Sequence, residues 1–491
     1  MSGPVTGPAI GPAIGPATGP STGPATGGSP RGVARPAGAG AGAATAAYVL
    51  RRAWVGGATR DDVLVEVADG RFTRVEPGGA VGEGREGREG REAVVLDGLV
   101  VPGQANAHSH AFHRALRGRT QRGRGTFWTW REQMYAVAAR LDPDSYHRLA
   151  RAVLGEIVAS GVTTLGEFHY LHHRPDGTPY PDHAMELALV EAARAVGLRL
   201  TLLDTCYLSS GFGAPVEGVQ RRCSDGSAQA WAERRAALIE RLHGSDDVVV
   251  GAAIHSVRAV PRADLPTVVA AAAGGPLHVH LSEQPAENAA CLAAHGVTPT
   301  RLLADAGALG PRTTAVHATH LTDADVDLLG GSGTRVCLCP TTERDLGDGV
   351  GPARRLADAG AVLSLGSDSH AVVDPWEEMR ALELDERLTS RRRGHWSAGE
   401  LLAAGTDHAG LGFPDAGRLE VGARADLVVL DTTSPRTAGT GDDEHTAVFA
   451  ASAADVLAVM VDGRWVVGPR APAPDQPLGA ALAAAIQEVL P

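Results

Sequence analysis

Two histidines one residue apart, His108 and His110, follow an apolar run that ends at Pro102-Gly103. Alternate side chains on a strand share a face, so the two imidazoles can converge where that strand ends. Converging imidazoles make a pair of metal ligands. Further along, LHVHLSE carries His280 with Glu283 three residues later, VHATH carries His317, and LGSDSH carries Asp368. If each string closes a strand of one barrel, His108, His110, His280 and Asp368 meet at one rim. Nitrogen and carboxylate ligands without thiolate favour zinc, with iron or manganese as the alternatives. Three histidines and one aspartate on one ion leave a position for water, whose pKa falls to about 7 when bound. Asp368 is then expected to be both ligand and base. Glu283 would shuttle the proton to substrate and leaving group, and His317 would stabilise developing charge. His278, His320 and His370 are expected to support or pack behind these groups.

Positioning such residues takes a regular scaffold. Apolar strand candidates at 94–101, 163–168, 198–204, 248–254, 277–281, 314–316, 335–338 and 361–365 alternate with alanine-rich stretches of helical length such as 145–160 and 183–196. Eight such units predict an α/β fold, a (β/α)8 TIM-type barrel over about 97–404. The rival, a doubly wound open sheet, lacks a Gly-rich phosphate loop after an early strand. Residues 46–96 and 405–470 hold short alternating runs, with Asp69-Gly70 as a hairpin signal. They predict one small β-sandwich domain built from both chain ends, with 471–491 as a C-terminal helix. Residues 1–45 repeat Gly-Pro-Ala units without an aromatic. They resemble neither a secretory signal nor collagen and are expected to stay disordered. GEGREGREGRE at 82–92 is expected to be a solvated loop.

Composition excludes several classes of function. A net charge of −12 over 491 residues argues against nucleic-acid and anionic-membrane partners. No apolar run reaches the eighteen or so residues that span a bilayer. Five scattered cysteines suit reduced thiols in a cytoplasmic protein. All 45 basic residues are arginine, which removes a Schiff base, a P-loop lysine and a carboxylated lysine bridging two metals.

The strings HSH, HxxE, HATH and SDSH resemble the amidohydrolase superfamily, specifically its mononuclear deaminases. Binuclear members typically carry a carboxylated lysine on strand four, and its absence agrees with one metal. The longer strings FWTWREQMY (127–135), EFHYLHH (167–173), HSVRAV (255–260), HVHLSEQ (278–284) and LGDG (346–349) are similar to the formimidoylglutamate deiminases of histidine degradation. That resemblance spans roughly 97–388 and GARADLVVLD in the small domain. It implies hydrolysis of N-formimidoyl-L-glutamate to N-formyl-L-glutamate and ammonia, by a homodimer. Arg258 and Arg131 match the family's arginines, able to hold the substrate's two carboxylates by charge-assisted hydrogen bonds. Tyr170 and His255 match its other substrate contacts. His113 stands where the family usually has glutamine, and its charge is expected to vary near neutral pH. Two rivals remain: another deaminase of the superfamily, acting on guanine, a triazine or a modified nucleoside, and a non-catalytic barrel scaffold.

Overall fold

A computed structural model describes residues 46–78, 93–122 and 127–491, without the side chains of Phe127 and Trp128. The tail at 1–45 and the whole insertion at 82–92 lie outside the described residues. The strands β1 (Ala46–Val55), β2 (Ala58–Ala68), β3 (Arg71–Glu76) and β4 (Val94–Pro102) come first. Asp69-Gly70 does turn β2 into β3, with Ala68 opposite Arg71. Eight parallel strands follow: β5 (Gln104–Ser109), β6 (Val162–His169), β7 (Arg199–Cys206), β8 (Val248–Ile254), β9 (Leu277–Leu281), β10 (Thr313–His317), β11 (Arg335–Leu338) and β12 (Val362–Leu365). They neighbour one another in sequence order, with helices between most of them. The last three, β13 (Leu427–Leu430), β14 (Val456–Val461) and β15 (Arg464–Val467), return to the first group.

The apolar run at 94–101 is not the first barrel strand, as its hydrophobicity had predicted. As β4 it pairs parallel with β1 and antiparallel with β13, inside the small sheet. The barrel opens two residues later with β5, QANAHS, whose six residues are all buried. β5 hides from a hydrophobicity reading because most of its residues are polar, and several of these bond inside the fold. Asn106 Nδ2 donates to Ser367 Oγ at 2.7 Å, and Gln104 Nε2 donates to the Pro102 carbonyl at 2.8 Å. Gly103 makes the sharp passage feasible, since a Cβ there would sit 2.3 Å from Thr163 Oγ1.

The barrel closes at the rim. Ser109 bridges Asp368 beyond β12; Asp368 N donates to the His108 carbonyl at 3.0 Å and His110 N to the Asp368 carbonyl at 3.1 Å. Helix Pro143–Ala159 illustrates how the flanking layer forms. Asp142 caps it reciprocally with Ser145, Pro143 starts it, and Leu149, Val153 and Ile157 bury one face at helical spacing. Among the described residues no helix is long and apolar enough to cross a membrane. All five cysteines are buried and unpaired.

Both chain ends meet in one seven-stranded sheet, ordered β15-β14-β13-β4-β1-β2-β3. Alternation divides its side chains between two cores. Leu50, Val65, Phe72, Val100, Leu427 and Met460 build the sheet's own core. Leu99, Val101, Val428, Leu430, Val459 and Val461 point the other way and join the barrel's core. Arg199, at the start of β7, pins the two parts. Its guanidinium is bidentate on Asp426 and donates to Asp462 Oδ1 at 3.0 Å and Thr164 Oγ1 at 2.9 Å, with 1% of the side chain exposed. Removing it would strand a buried carboxylate. Arg199→Met is therefore expected to lower unfolding stability by about 3 kcal/mol in urea titrations; a loss under about 0.5 kcal/mol would refute the pin.

Candidate metal centre and active site

The closure point brings the nominated ligands together. His108 Nε2 lies 3.3 Å from Asp368 Oδ1 and 3.1 Å from His280 Nε2, and His110 Nε2 lies 3.4 Å from the same carboxylate oxygen. Ligand atoms about 2.1 Å from a tetrahedral ion stand about 3.4 Å apart, so these three separations fit one coordination sphere. Tautomer and charge agree with that. His110 Nδ1 faces the Phe168 carbonyl at 3.0 Å, which leaves the lone pair of Nε2 pointing at the centre. Burial pushes the His108 imidazole down to about 3 and lowers His110 and His280 as well, so all three are neutral. Burial alone would raise Asp368, but its contact with His108 and the field of His317 hold it well below the carboxylate range. Neutral imidazoles and an ionised carboxylate are what a cation requires.

Beside the centre sit the groups that can handle protons. His317 is buried, which disfavours its charge, yet Glu283, Glu343 and Asp368 raise it well above the ordinary histidine value. Glu343 Oε1 lies 3.5 Å from His317 Nδ1 and accepts from Cys339 N at 3.0 Å. Burial raises the Glu283 carboxyl, and Asp368 and Glu343 add to it, while His317 and Arg258 oppose. Glu283 thus lies in the fields of both the centre and the arginine beyond it. The backbone here is strained: Ser282, His317, Ala318, Asp368 and His370 have φ between +38° and +70°. Such clusters persist where surrounding structure over-determines a site. Gly366 belongs to the same crowding, since a Cβ there would meet His108 Cβ at 2.8 Å.

His255, Tyr170 and His113 each stand ring to ring with a histidine of the centre. His255 stacks edge-on 5.2 Å from His280, 4.6 Å from Tyr207 and 5.7 Å from Tyr170, ring to ring. Tyr170 Oη is 2.9 Å from His113 Nε2. Burial, and then His110, keep His113 far below its ordinary value, so its charge does not vary near neutral pH as its type had suggested. Arg258, a third exposed, points its Nε to the buried Glu287 at 3.5 Å. Arg131 donates from Nε to Tyr135 Oη at 2.9 Å. Burial pushes His255 down and Tyr207 up, and both arginines act on each, adding to the first shift and opposing the second. The other histidines of EFHYLHH stand behind Tyr170, away from the ligand set. His172 is held between Glu186 Oε1 at 2.8 Å and the Thr205 carbonyl at 3.0 Å, and His173 Nε2 is 3.0 Å from Asp225 Oδ1.

A sequence profile described as "Amidohydrolase family" matches residues 99–466. The chain belongs to the amidohydrolase family. Among its curated relatives, formimidoylglutamate deiminase of Pseudomonas aeruginosa is 39% identical, over 79% of this chain and 89% of that one. A 5'-deoxyadenosine deaminase of Methanothermobacter thermautotrophicus is 30% identical over 83% of this chain and 90% of that one. The solved amidohydrolase of Brucella melitensis superposes with a TM-score of 0.82 at 32% identity, covering 90% of this chain and 99% of that one.

For an amidohydrolase the eight-stranded rim is the place to look, yet several of its polar residues escape a reading of ligand motifs. Glu167, at the end of β6, is pushed up to about 8 by burial, against bonds from Ser109 Oγ and Ala111 N, each at 2.7 Å. Asp348 is pushed up to about 8, by burial first and then by Glu283. Glu343, Glu167 and Asp348 sit at no diagnostic spacing from another ligand. Glu167 and Asp348 do fall within the strings EFHYLHH and LGDG, but those strings do not single them out. His370 Nε2 meets Ser109 Oγ at 2.8 Å, His320 Nε2 the Asp348 carbonyl at 2.8 Å, and His278 Nε2 the Gly410 carbonyl at 3.4 Å. These are the supporting places expected of them.

Proposed function

We propose that this amidohydrolase hydrolyses N-formimidoyl-L-glutamate to N-formyl-L-glutamate and ammonia, as a step of histidine degradation, using one zinc ion. What carries the reading is the pairing of a three-histidine, one-aspartate centre with two guanidinium groups, Arg258 and Arg131, whose fields meet on His255 and Tyr207. The identity to the Pseudomonas deiminase supports it. A bis-carboxylate with a cationic formimino head matches that polarity end for end: the carboxylates meet the arginines and the head meets the centre.

His108, His110, His280 and Asp368 would hold the ion, which supplies a nucleophilic water at neutral pH when bound. Asp368 accepts the proton of the attacking water as it adds to the formimino carbon. Glu283, a carboxyl raised by burial, passes that proton to the departing nitrogen, and the C–N bond breaks to release ammonia. His317, protonated in the field of Glu283 and Glu343, stabilises negative charge as it develops. His113 and Tyr170, joined at 2.9 Å, and His255 wall the path between head and carboxylates.

The test is ammonia release from formimidoylglutamate, guanine, a triazine and 5'-deoxyadenosine in parallel, with metal content measured on the same sample. Turnover of the first alone with about one zinc per chain is expected. Faster turnover of a heterocycle would overturn the substrate, and a fully loaded protein inert on all four would favour a scaffold.

A further inference from the structure

Three residues not matched to a family substrate contact, Gln220, Tyr135 and Tyr207, form one bonded group that reaches Arg131. Gln220, 5% exposed, lies in the short helix Gly218–Cys223. Its Oε1 accepts from Glu217 N at 3.1 Å, an unambiguous donor, so the amide orientation is fixed and Nε2 faces the other way. From there Nε2 donates to Tyr135 Oη at 3.1 Å and to Tyr207 Oη at 3.0 Å. Tyr135 Oη also accepts from Arg131 Nε at 2.9 Å. Two obligate donors thus occupy that oxygen, and the hydroxyl proton of Tyr135 must point elsewhere. Tyr207 Oη likewise spends a lone pair on Gln220, and its ring stands 4.6 Å from His255. With both amide hydrogens given to the phenol oxygens, each phenol is left to donate its own proton to another acceptor, such as a carboxylate held by the arginines.

We propose that Tyr135 and Tyr207 are further specificity-determining residues that donate to the carboxylates of a dicarboxylate substrate, with Gln220 as the positioning residue that orients both hydroxyls. This deepens the function proposed above and rests on it. It also explains how a mouth with two cations can tell a dicarboxylate from any other anion. Point charges attract without geometry, while two preset hydroxyls add direction.

The experiment compares KM and kcat for N-formimidoyl-L-glutamate in the full-length metal-loaded protein and in Tyr135→Phe, Tyr207→Phe, Gln220→Leu and Gln220→Glu, with an N-alkylformamidine that lacks both carboxylates as second substrate. Phenylalanine keeps the ring packing and removes only the donor. Each Phe variant is expected to raise KM for the dicarboxylate roughly tenfold while kcat changes by less than about threefold. Gln220→Glu, which turns a donor into an acceptor and draws both hydroxyl protons towards itself, should raise KM by about a hundredfold. On the formamidine each loss should be at least about tenfold smaller. An unchanged KM in both Phe variants, or equal losses on the two substrates, would overturn the proposal, whether or not the Gln220 variants fold. Failure of the unsubstituted protein to turn over formimidoylglutamate would instead overturn the reading of function, and this proposal with it.

Discussion

Glu283→Gln is expected to lower kcat on formimidoylglutamate by about 10² to 10⁴-fold while zinc content stays at one per chain. Glutamine keeps the shape and a hydrogen bond but cannot carry a proton from one heavy atom to another. The environment suits a shuttle. Burial, Asp368 and Glu343 favour the protonated acid, while His317 and Arg258 favour the carboxylate, so neither form is far out of reach. His280, three residues earlier, stays in the ligand set, which is why metal content separates a lost proton path from a lost ion. An amine added at millimolar concentration would restore nothing, since the defect lies in transfer to a buried leaving nitrogen. If Glu283→Gln kept more than about a tenth of the native kcat, another carboxyl would hold the role. Asp348, pushed up to about 8 in the same acidic wall, would be the one to replace next.

What the sequence discloses, and what it conceals, follows from how each feature is stabilised. β8 and β11 are short apolar runs between breakers, buried by helices on one side and by the barrel interior on the other, so hydrophobicity alone marks them. β5 carries His108, with His110 just past its end, yet hardly reads as a strand, because its polar side chains bond to β6 and to the loop after β12 rather than packing as hydrocarbon. β4, the most apolar run nearby, took its place in the reading because hydrophobicity reports burial without saying in which sheet. The ligands are legible because a metal needs particular atoms on particular strands, and HxH, HxxE and SDSH survive as strings. Glu343, Glu167 and Gln220 act through backbone amides, a hydroxyl and a pair of phenols brought in from other elements. Contacts assembled by the fold leave no spacing to find. His113 shows the opposite limit: its type was plain, but its charge state depends on burial that no string records.

Arg258→Ala should cost about 1,000-fold in kcat/KM for formimidoylglutamate, close to 4 kcal/mol, mostly through KM. Three effects add. The substrate loses a fork that grips a carboxylate, Glu287 loses its partner at 3.5 Å, and Glu283 loses a neighbouring cation that opposes its protonation. The second effect can be isolated, because Glu287 is 4% exposed and unpaired once the guanidinium is gone. Arg258→Ala combined with Glu287→Gln should therefore regain folding stability without regaining affinity for the dicarboxylate. Lysine would be a poor substitute, since an ammonium offers one point charge where the guanidinium offers a planar pair of donors. Glutarate, which has both carboxylates and no reacting head, provides the decisive control. It should inhibit the native protein competitively and lose that inhibition in Arg258→Ala. An Arg258→Ala protein that bound glutarate as the native one does would place the carboxylates elsewhere, and Arg258 would then serve only to neutralise Glu287.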